Sequence, residues 1–222
     1  ISEGMPIKMV YDPAQLDAIK GAGFRSIRIY VVVKRSPAEY KTIIDDALKR
    51  GLTVIISLWG DGQWISNPTE GMQEFVEVWG KFGIYFKDYP EDLVFDLWNE
   101  PAGLLVVDGK PQGITNPETV MQYLNAAIPA IRKTNPDRFL GIGGPGLNGG
   151  RELEQYLTPK YLTYALEDST GFEEDSSLIG LFHMYHPSSF THWTTGLNNF
   201  PGWQEEVREE LSHPLAWSEL WH

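Results

Sequence analysis

Cysteine is absent from the 222 residues, so no disulfide framework, thiolate metal site or thiol nucleophile is available to this chain. No run approaches the roughly 18 apolar residues that a membrane span needs. The N-terminus ISEGMPIKMV also lacks the basic and apolar segments of a signal peptide, so if the protein is exported this is its mature form. Positive charge is scarce as well: 18 Lys and Arg face 30 Asp and Glu, a net charge of −12 with a pI near 4.8. Nucleic acid and an anionic membrane surface would both repel such a protein, and an uncharged substrate suits it better.

Aromatic residues are plentiful, at 13% with eight Trp. Many belong in a core, but Trp also offers a ligand a flat apolar face with one polar handle. With 42% hydrophobic residues and no low-complexity segment, the expectation is a single catalytic domain over 1–222.

Two hydrophobic periods alternate along the chain. Asp12-Pro13 caps a first helix ending at Gly21 and Gly23, and FRSIRIYVVV follows as a strand. Ser36-Pro37 opens a second helix through Leu48, then comes LTVIISLW, dense in β-branched residues. A third helix, about Thr69 to Lys87, precedes DLVFDLW, and a fourth, Asn116-Pro117 to Lys133, precedes RFLGIGG. A fifth, roughly Thr158 to Glu167, precedes SLIGLFHMYH, and a sixth, about Trp203 to Leu211, precedes PLAWSEL. Six parallel strands alternating with six helices predict an α/β fold, a TIM-like barrel that is incomplete because eight strands close one. GIGGPGLNGG, residues 141 to 150, reads as a tight loop after a strand, since no phosphate-binding helix follows. MPIKMVY is a candidate for one further short strand.

Glu100 ends the strand DLVFDLWNE and Glu219 ends the strand read in AWSEL, each flanked by Trp. At the carboxyl ends of barrel strands, carboxylates far apart in sequence converge on one pocket. Two carboxyl groups about 5 Å apart serve a retaining glycosidase, and about 6.5 to 9.5 Å an inverting one. His183 and Tyr185 alternate on one strand and so face the same way. Trp59, Trp64 and Trp193 follow strand ends as candidate sugar platforms or ordinary loop packing, while Trp98 alternates away into the core. His186 and His192 read as polar loop residues, and a metal site is a poor reading of the cluster, since no Cys is available and the ligands would have to come from one strand and its loop.

LWNEP, with FRSIRI before it, HMYHPSSFTHW after it and a terminal strand ending in Glu219, resembles glycoside hydrolase family 5, the cellulase-type retaining endoglycanases. The resemblance spans about residues 12 to 220 with the motifs in order. It implies a secreted, extracellular hydrolase of polysaccharide degradation and carbohydrate metabolism, with no cofactor and no metal, acting on β-glucan polysaccharide or oligosaccharide as an endo-β-1,4-glucanase. Glu100 would be the acid/base, Glu219 the nucleophile, and Asn99 would bind the sugar 2-hydroxyl. Arg28 would hold the nucleophile ionised or pair with some other carboxylate. Tyr185 would donate to the nucleophile, and His183 would bind sugar or orient the acid/base. Endo-β-mannanase and β-1,3-glucanase activities share this framework, and a glycan-binding protein with weak or lost catalysis is the alternative class.

Two departures stand out. LWGDG replaces the imidazoles that usually end the family's third strand, and the first and eighth barrel strands are missing from the pattern. Exposed sheet edges then need closure as a smaller barrel, a second copy across the gap, or survival as a fragment, and a homo-oligomer completing the barrel is the favoured expectation.

Overall fold

The computed structural model describes residues 11–59, 64, 67–101, 105–107, 110–112, 117–165, 175–185 and 203–219. Helix α1 (Pro13–Gly21) starts where the Asp12 side chain accepts a hydrogen bond from the Ala14 N–H at 2.9 Å, with Pro13 filling the first helical position. Strand β1 (Ser26–Val32) follows, then a short 3-10 turn (Pro37–Tyr40) running into α2 (Lys41–Lys49), then β2 (Thr53–Trp59). Helix α3 (Pro68–Tyr85) leads to β3 (Leu93–Asp96), and a two-stranded antiparallel pair, β4 (Leu105–Val107) with β5 (Lys110–Gln112), extends the loop after it. Helix α4 (Pro117–Arg132), β6 (Leu140–Gly143), α5 (Gly150–Tyr156), β7 (Leu178–Leu181) and α6 (Trp203–Glu219) complete the order.

Strands β1, β2, β3, β6 and β7 form one parallel sheet in chain order, so each helix crosses to the adjacent strand as successive barrel staves require. One face of this sheet is apolar. Val31, Val54, Ile56, Leu58, Leu93, Phe95, Leu97, Leu140 and Ile142 are buried there, in one core with Ile44, Phe75, Trp79, Phe82, Leu124 and Ile128. The register Tyr30↔Ser57↔Asp96↔Gly141 puts the alternate positions on the other face, where a barrel keeps its interior. That face carries Arg28, Tyr30, Ser57 and Asp96.

Two buried arginines tie the bases of the helices to the sheet. Arg138 donates to the carbonyls of Phe86, Tyr89, Pro90 and Leu93, and its burial lowers its pKa. Arg132 makes a two-pronged pair with Asp175 at 2.9 and 2.8 Å, both side chains being at most 6% exposed.

The described sheet has five parallel strands where six were expected, because Pro214–Glu219 continues helix α6 instead of forming PLAWSEL as a strand. A helix satisfies its backbone within itself, whereas a strand needs a neighbour. The helical form also lays the Trp217 ring on Gly180 and lets its Nε1 donate to the Leu157 carbonyl at 2.7 Å. Further contacts fix α6 on α5: Glu210 accepts from the Gly150 N–H at 2.9 Å, and His213 Nδ1 meets Glu154 at 2.5 Å. The fifth helix also moves. It spans Gly150–Tyr156, and Thr158 to Ala165 is turn and irregular chain held by Asn125, whose amide donates to the Tyr161 carbonyl and accepts from the Thr163 N–H. The candidate strand MPIKMVY lies outside the described residues except for Tyr11.

Candidate active site

Strand β3 delivers its terminus under tight backbone control. The Asn99 N–H donates to the Leu58 carbonyl at the end of β2 at 2.9 Å, and the Trp98 carbonyl accepts from the Asn148 amide at 3.2 Å. Glu100 then takes a positive φ of 44°. For a non-glycine residue this region costs about 1–3 kcal/mol and persists only where the surroundings over-determine it. Its carboxylate is grasped from the chain just past the end of β7, the next strand but one: His183 Nδ1 lies 2.7 Å from Oε1, and the Tyr185 hydroxyl donates to the same oxygen. Both donors use Oε1, which leaves Oε2 as the oxygen able to exchange a proton with a ligand. The Glu100 bond, with burial, pushes the Tyr185 hydroxyl up to about 12.

A polar chain runs across the sheet behind this group. Arg28 Nη1 is 3.2 Å from His183 Nε2. A guanidinium can only donate, so Nε2 must accept and the proton must sit on Nδ1, aimed at Glu100. Arg28 is itself held by Asp96, through Nε at 3.0 Å and through Nη2, and its Nη2 also donates to Ser57 Oγ at 2.9 Å. Asp96 is fully buried and the Arg28 side chain is 27% exposed. The carboxylate that Arg28 holds is therefore Asp96, the second of the two expectations for it.

Aromatic groups open beside this chain. Tyr30 and Trp59 meet edge to face at 5.1 Å, with 46% and 37% of their surfaces exposed, and the Arg28 guanidinium lies 5.3 Å from the Tyr30 ring centre. Trp59 is thus open for stacking on a ligand. Trp64 is a correction. At 1% exposure it packs edge to face on Phe75 and Trp98 and donates from Nε1 to Glu74 at 2.6 Å, so it belongs to the core. Trp98, at 4%, sits in the same aromatic cluster with Tyr123, as its alternation predicts.

Asn99 is 6% exposed, with its Oδ1 buried and without a donor among the described residues. Glu219 is a further correction: it closes helix α6, not a strand, and its side chain lies outside the described residues. Trp193, His186 and His192 also lie outside them. Tyr185, expected on the nucleophile, donates to Glu100, and His183 Nδ1 lies on the same carboxylate oxygen. Sequence reasoning missed Asp96, Ser57, Tyr30 and Asn148. Period-two alternation from Arg28 picks out Tyr30, and an Asp inside the apolar run DLVFDLW is a signal in itself, since a buried carboxylate needs a partner. No group of three or more His, Asp or Glu able to hold a metal occurs among the described residues.

Consecutive parallel strands that gather a carboxylate, an imidazole and a phenol at their carboxyl ends have the build of a (β/α) barrel enzyme. The chain belongs to glycoside hydrolase family 5: the family described as "Cellulase (glycosyl hydrolase family 5)" matches residues 7–217. Among its relatives is Endoglucanase H of Acetivibrio thermocellus, 30% identical over 190 residues, which cover 79% of this chain and 18% of that protein. Endoglucanase 1 of Ruminococcus albus is 26% identical, with 94% of this chain and 53% of its own length covered. A hyperthermophilic endo-β-1,4-glucanase solved in complex with substrate superposes with a TM-score of 0.74 at 25% identity, covering 94% of this chain and 67% of that one. The chain thus spans well under two thirds of these curated relatives' length, and about two thirds of that solved structure.

Proposed function

We propose that this chain is a retaining endo-β-1,4-glucanase domain, with Glu100 as acid/base and Glu219 as nucleophile. The observation that carries the reading is Glu100 itself: a carboxylate at a strand carboxyl end, in a costly backbone conformation, with one oxygen held by two donors and the other left for proton transfer. In the first step Glu100 gives its proton to the glycosidic oxygen as the bond to the anomeric carbon breaks, and the Glu219 carboxylate forms a new bond to that carbon. In the second step Glu100 takes a proton from water, whose oxygen displaces Glu219 and releases the sugar. Both carboxyl groups return to their starting states.

Asn99 would reach the 2-hydroxyl by turning its buried amide outward, and Trp59 with Tyr30 would stack on sugar faces. A solved Thermotoga maritima relative, 25% identical with a TM-score of 0.73, is described in complex with cellobiose, which supports a β-1,4-linked glucan as substrate. The acidic balance of the chain suits an uncharged polysaccharide met outside the cell, and a secreted location is part of the proposal, as is a single catalytic domain.

The helical placement of Glu219 favours one second reading, a glycan-binding protein with weak or lost catalysis. Hydrolysis of a panel of β-1,4-glucan, β-1,3-glucan and β-mannan, with the anomeric form of the first product followed by NMR, tests both. The expected result is β-configured product from β-1,4-glucan, abolished in Glu100→Gln and Glu219→Ala. Equal rates in the wild type and Glu219→Ala would remove the nucleophile, and binding without turnover would establish the second reading.

A further inference from the structure

The loop between β6 and α5 holds a residue that touches both halves of the Glu100 arrangement. Asn148 is fully buried and adopts a φ of 56°, a left-handed conformation that Asn tolerates better than most side chains. Its side-chain amide donates to the Trp98 carbonyl at 3.2 Å, and its own carbonyl accepts from the His183 N–H at 2.7 Å. The peptide that leads into Asn99 is therefore fixed on both sides, by Leu58 on its N–H and by Asn148 on its carbonyl, immediately before the strained Glu100. The same residue fixes the backbone from which the His183 imidazole reaches Glu100.

The fit around the Asn148 amide is close. A Cβ added at Gly143 would stand 2.6 Å from Asn148 Nδ2 and Cγ, closer than real atoms approach, so the glycine makes the space that the amide fills. Oδ1 of Asn148 has no donor among the described residues. One side of the amide thus does the holding.

The geometry points to Asn148 as a positioning residue that sets the Glu100–His183 distance, by clamping the end of β3 to the end of β7 through one residue of the β6 loop. This rests on Glu100 being the proton donor of the proposed reaction. Asn148 itself touches no reacting atom. Removing its side chain while sparing the backbone leaves His183 in place and frees the peptide before Glu100, so the carboxyl group loses its aim.

Proton donation matters for a glucan, whose leaving group is an alkoxide, and little for dinitrophenyl β-cellobioside, whose leaving group departs without a proton. The test therefore compares both substrates across the wild type, Asn148→Gly, Asn148→Asp, Gly143→Ala and Glu100→Gln, together with the NMR signal of the His183 Nδ1 proton. Glycine at 148 keeps the positive φ and the carbonyl. Aspartate keeps the shape but turns an oxygen toward the Trp98 carbonyl. Expected is a loss of about tenfold in kcat/KM on glucan, the size of one well-placed hydrogen bond, with kcat/KM on the aryl substrate, which ends at the glycosyl-enzyme and excludes the later step in which Glu100 takes a proton from water, within about twofold of wild type. The His183 proton is expected to shift or exchange faster in the same variants.

A Glu100→Gln variant with the selective loss, beside Asn148 variants with the wild-type substrate ratio and an unchanged His183 signal, overturns the inference. A purely structural role would lower kcat/KM on both substrates together, and that also overturns it. If Glu100→Gln shows no selectivity, the proton-donor reading falls, and the His183 proton alone then decides whether Asn148 sets the pair.

Discussion

Replacement of Asp96 tests the polar chain most directly. Its Oδ2 takes two bonds from Arg28, it is wholly buried, and the Arg28 side chain keeps 27% exposure. Asp96→Ala leaves a guanidinium against the sheet without its counter-charge. Breaking a buried pair costs about 3–5 kcal/mol, and the partial exposure of Arg28 places this one near the lower end, about 3 kcal/mol. Activity should fall further than the lost fold accounts for, because an Arg28 no longer held by Asp96 stops fixing the proton of His183 on Nδ1. The double variant Arg28→Met with Asp96→Leu separates the two effects. Apolar side chains of similar bulk remove both charges, so stability should return to within about 1 kcal/mol of wild type, the residue being the lost partner of Ser57. Hydrolysis should stay about tenfold down, since nothing then donates to His183 Nε2. Urea unfolding with parallel glucan assays reads both quantities. A double variant that recovers full activity with its stability would refute the view that Arg28 acts through the imidazole, and an Asp96→Ala midpoint equal to wild type would refute the pair.

The two tryptophans before α3 should part company. Trp59→Ala should raise KM for cello-oligosaccharides about tenfold and leave the unfolding midpoint nearly unchanged, whereas Trp64→Ala should cost about 4 kcal/mol of stability as a large core truncation. Titration of the tyrosines by ultraviolet absorbance should lose, in Tyr185→Phe, a component ionising at about pH 12. The sign follows from a folded pKa raised above the ordinary value of about 10: the Tyr185–Glu100 bond stabilises fully below pH 10 and is lost as pH rises toward 12. Tyr185→Phe should therefore show the same stability difference from wild type at pH 7 and pH 9, measured by urea midpoints, and a shrinking one above pH 10. Gly180→Ala should cost about 1–3 kcal/mol, since its Cβ would stand 2.8 Å from the Trp217 ring, and should reduce hydrogen-exchange protection across α6.

What the sequence disclosed and withheld follows from the range of each interaction. Strands β1, β2, β3, β6 and β7 could be read because a parallel strand covered by helices must be β-branched and apolar on its helix side, as Val54, Ile56 and Leu58 are, whereas the short antiparallel pair β4 and β5 carried no such pattern. Glu100, His183 and Tyr185 were legible because they cluster at two strand ends with recognisable neighbours. The partner of Arg28 was not, since it depends on which carboxylate lies across β2, and that is set by the register Arg28↔Ile55↔Val94, two residues short of Asp96. Trp64 was misread because a Trp in a polar loop looks exposed until Glu74, one helix away, supplies the partner for its indole N–H. Asn148 lay hidden in a glycine-rich stretch whose glycines suggest only a turn. Its two bonds reach Trp98 and His183, far away in sequence in opposite directions.

The C-terminal segment shows how weak local signals decide between elements. PLAWSEL has strand-like bulk, but its backbone could form a strand only by pairing with a neighbour such as β7. In α6 it needs no partner, at the cost of the hydrogen bond that Pro214 cannot make. What tips the choice is tertiary: Trp217 finds a flat seat on Gly180 and an acceptor in Leu157, and neither is written in residues 214 to 219. The proposed reaction therefore makes a demand on this segment that it does not make on Glu100. Proton donation needs only the β3 and β7 ends already joined through His183, whereas nucleophilic attack requires Glu219 within about 5 Å of Glu100. If Glu219 supplies the nucleophile from α6, then Gly180→Ala, by unseating Trp217, should impair attack on the activated aryl glycoside as well as on glucan. Asn148→Gly should spare kcat/KM on the aryl substrate, so the two variants report on the two carboxyl groups separately.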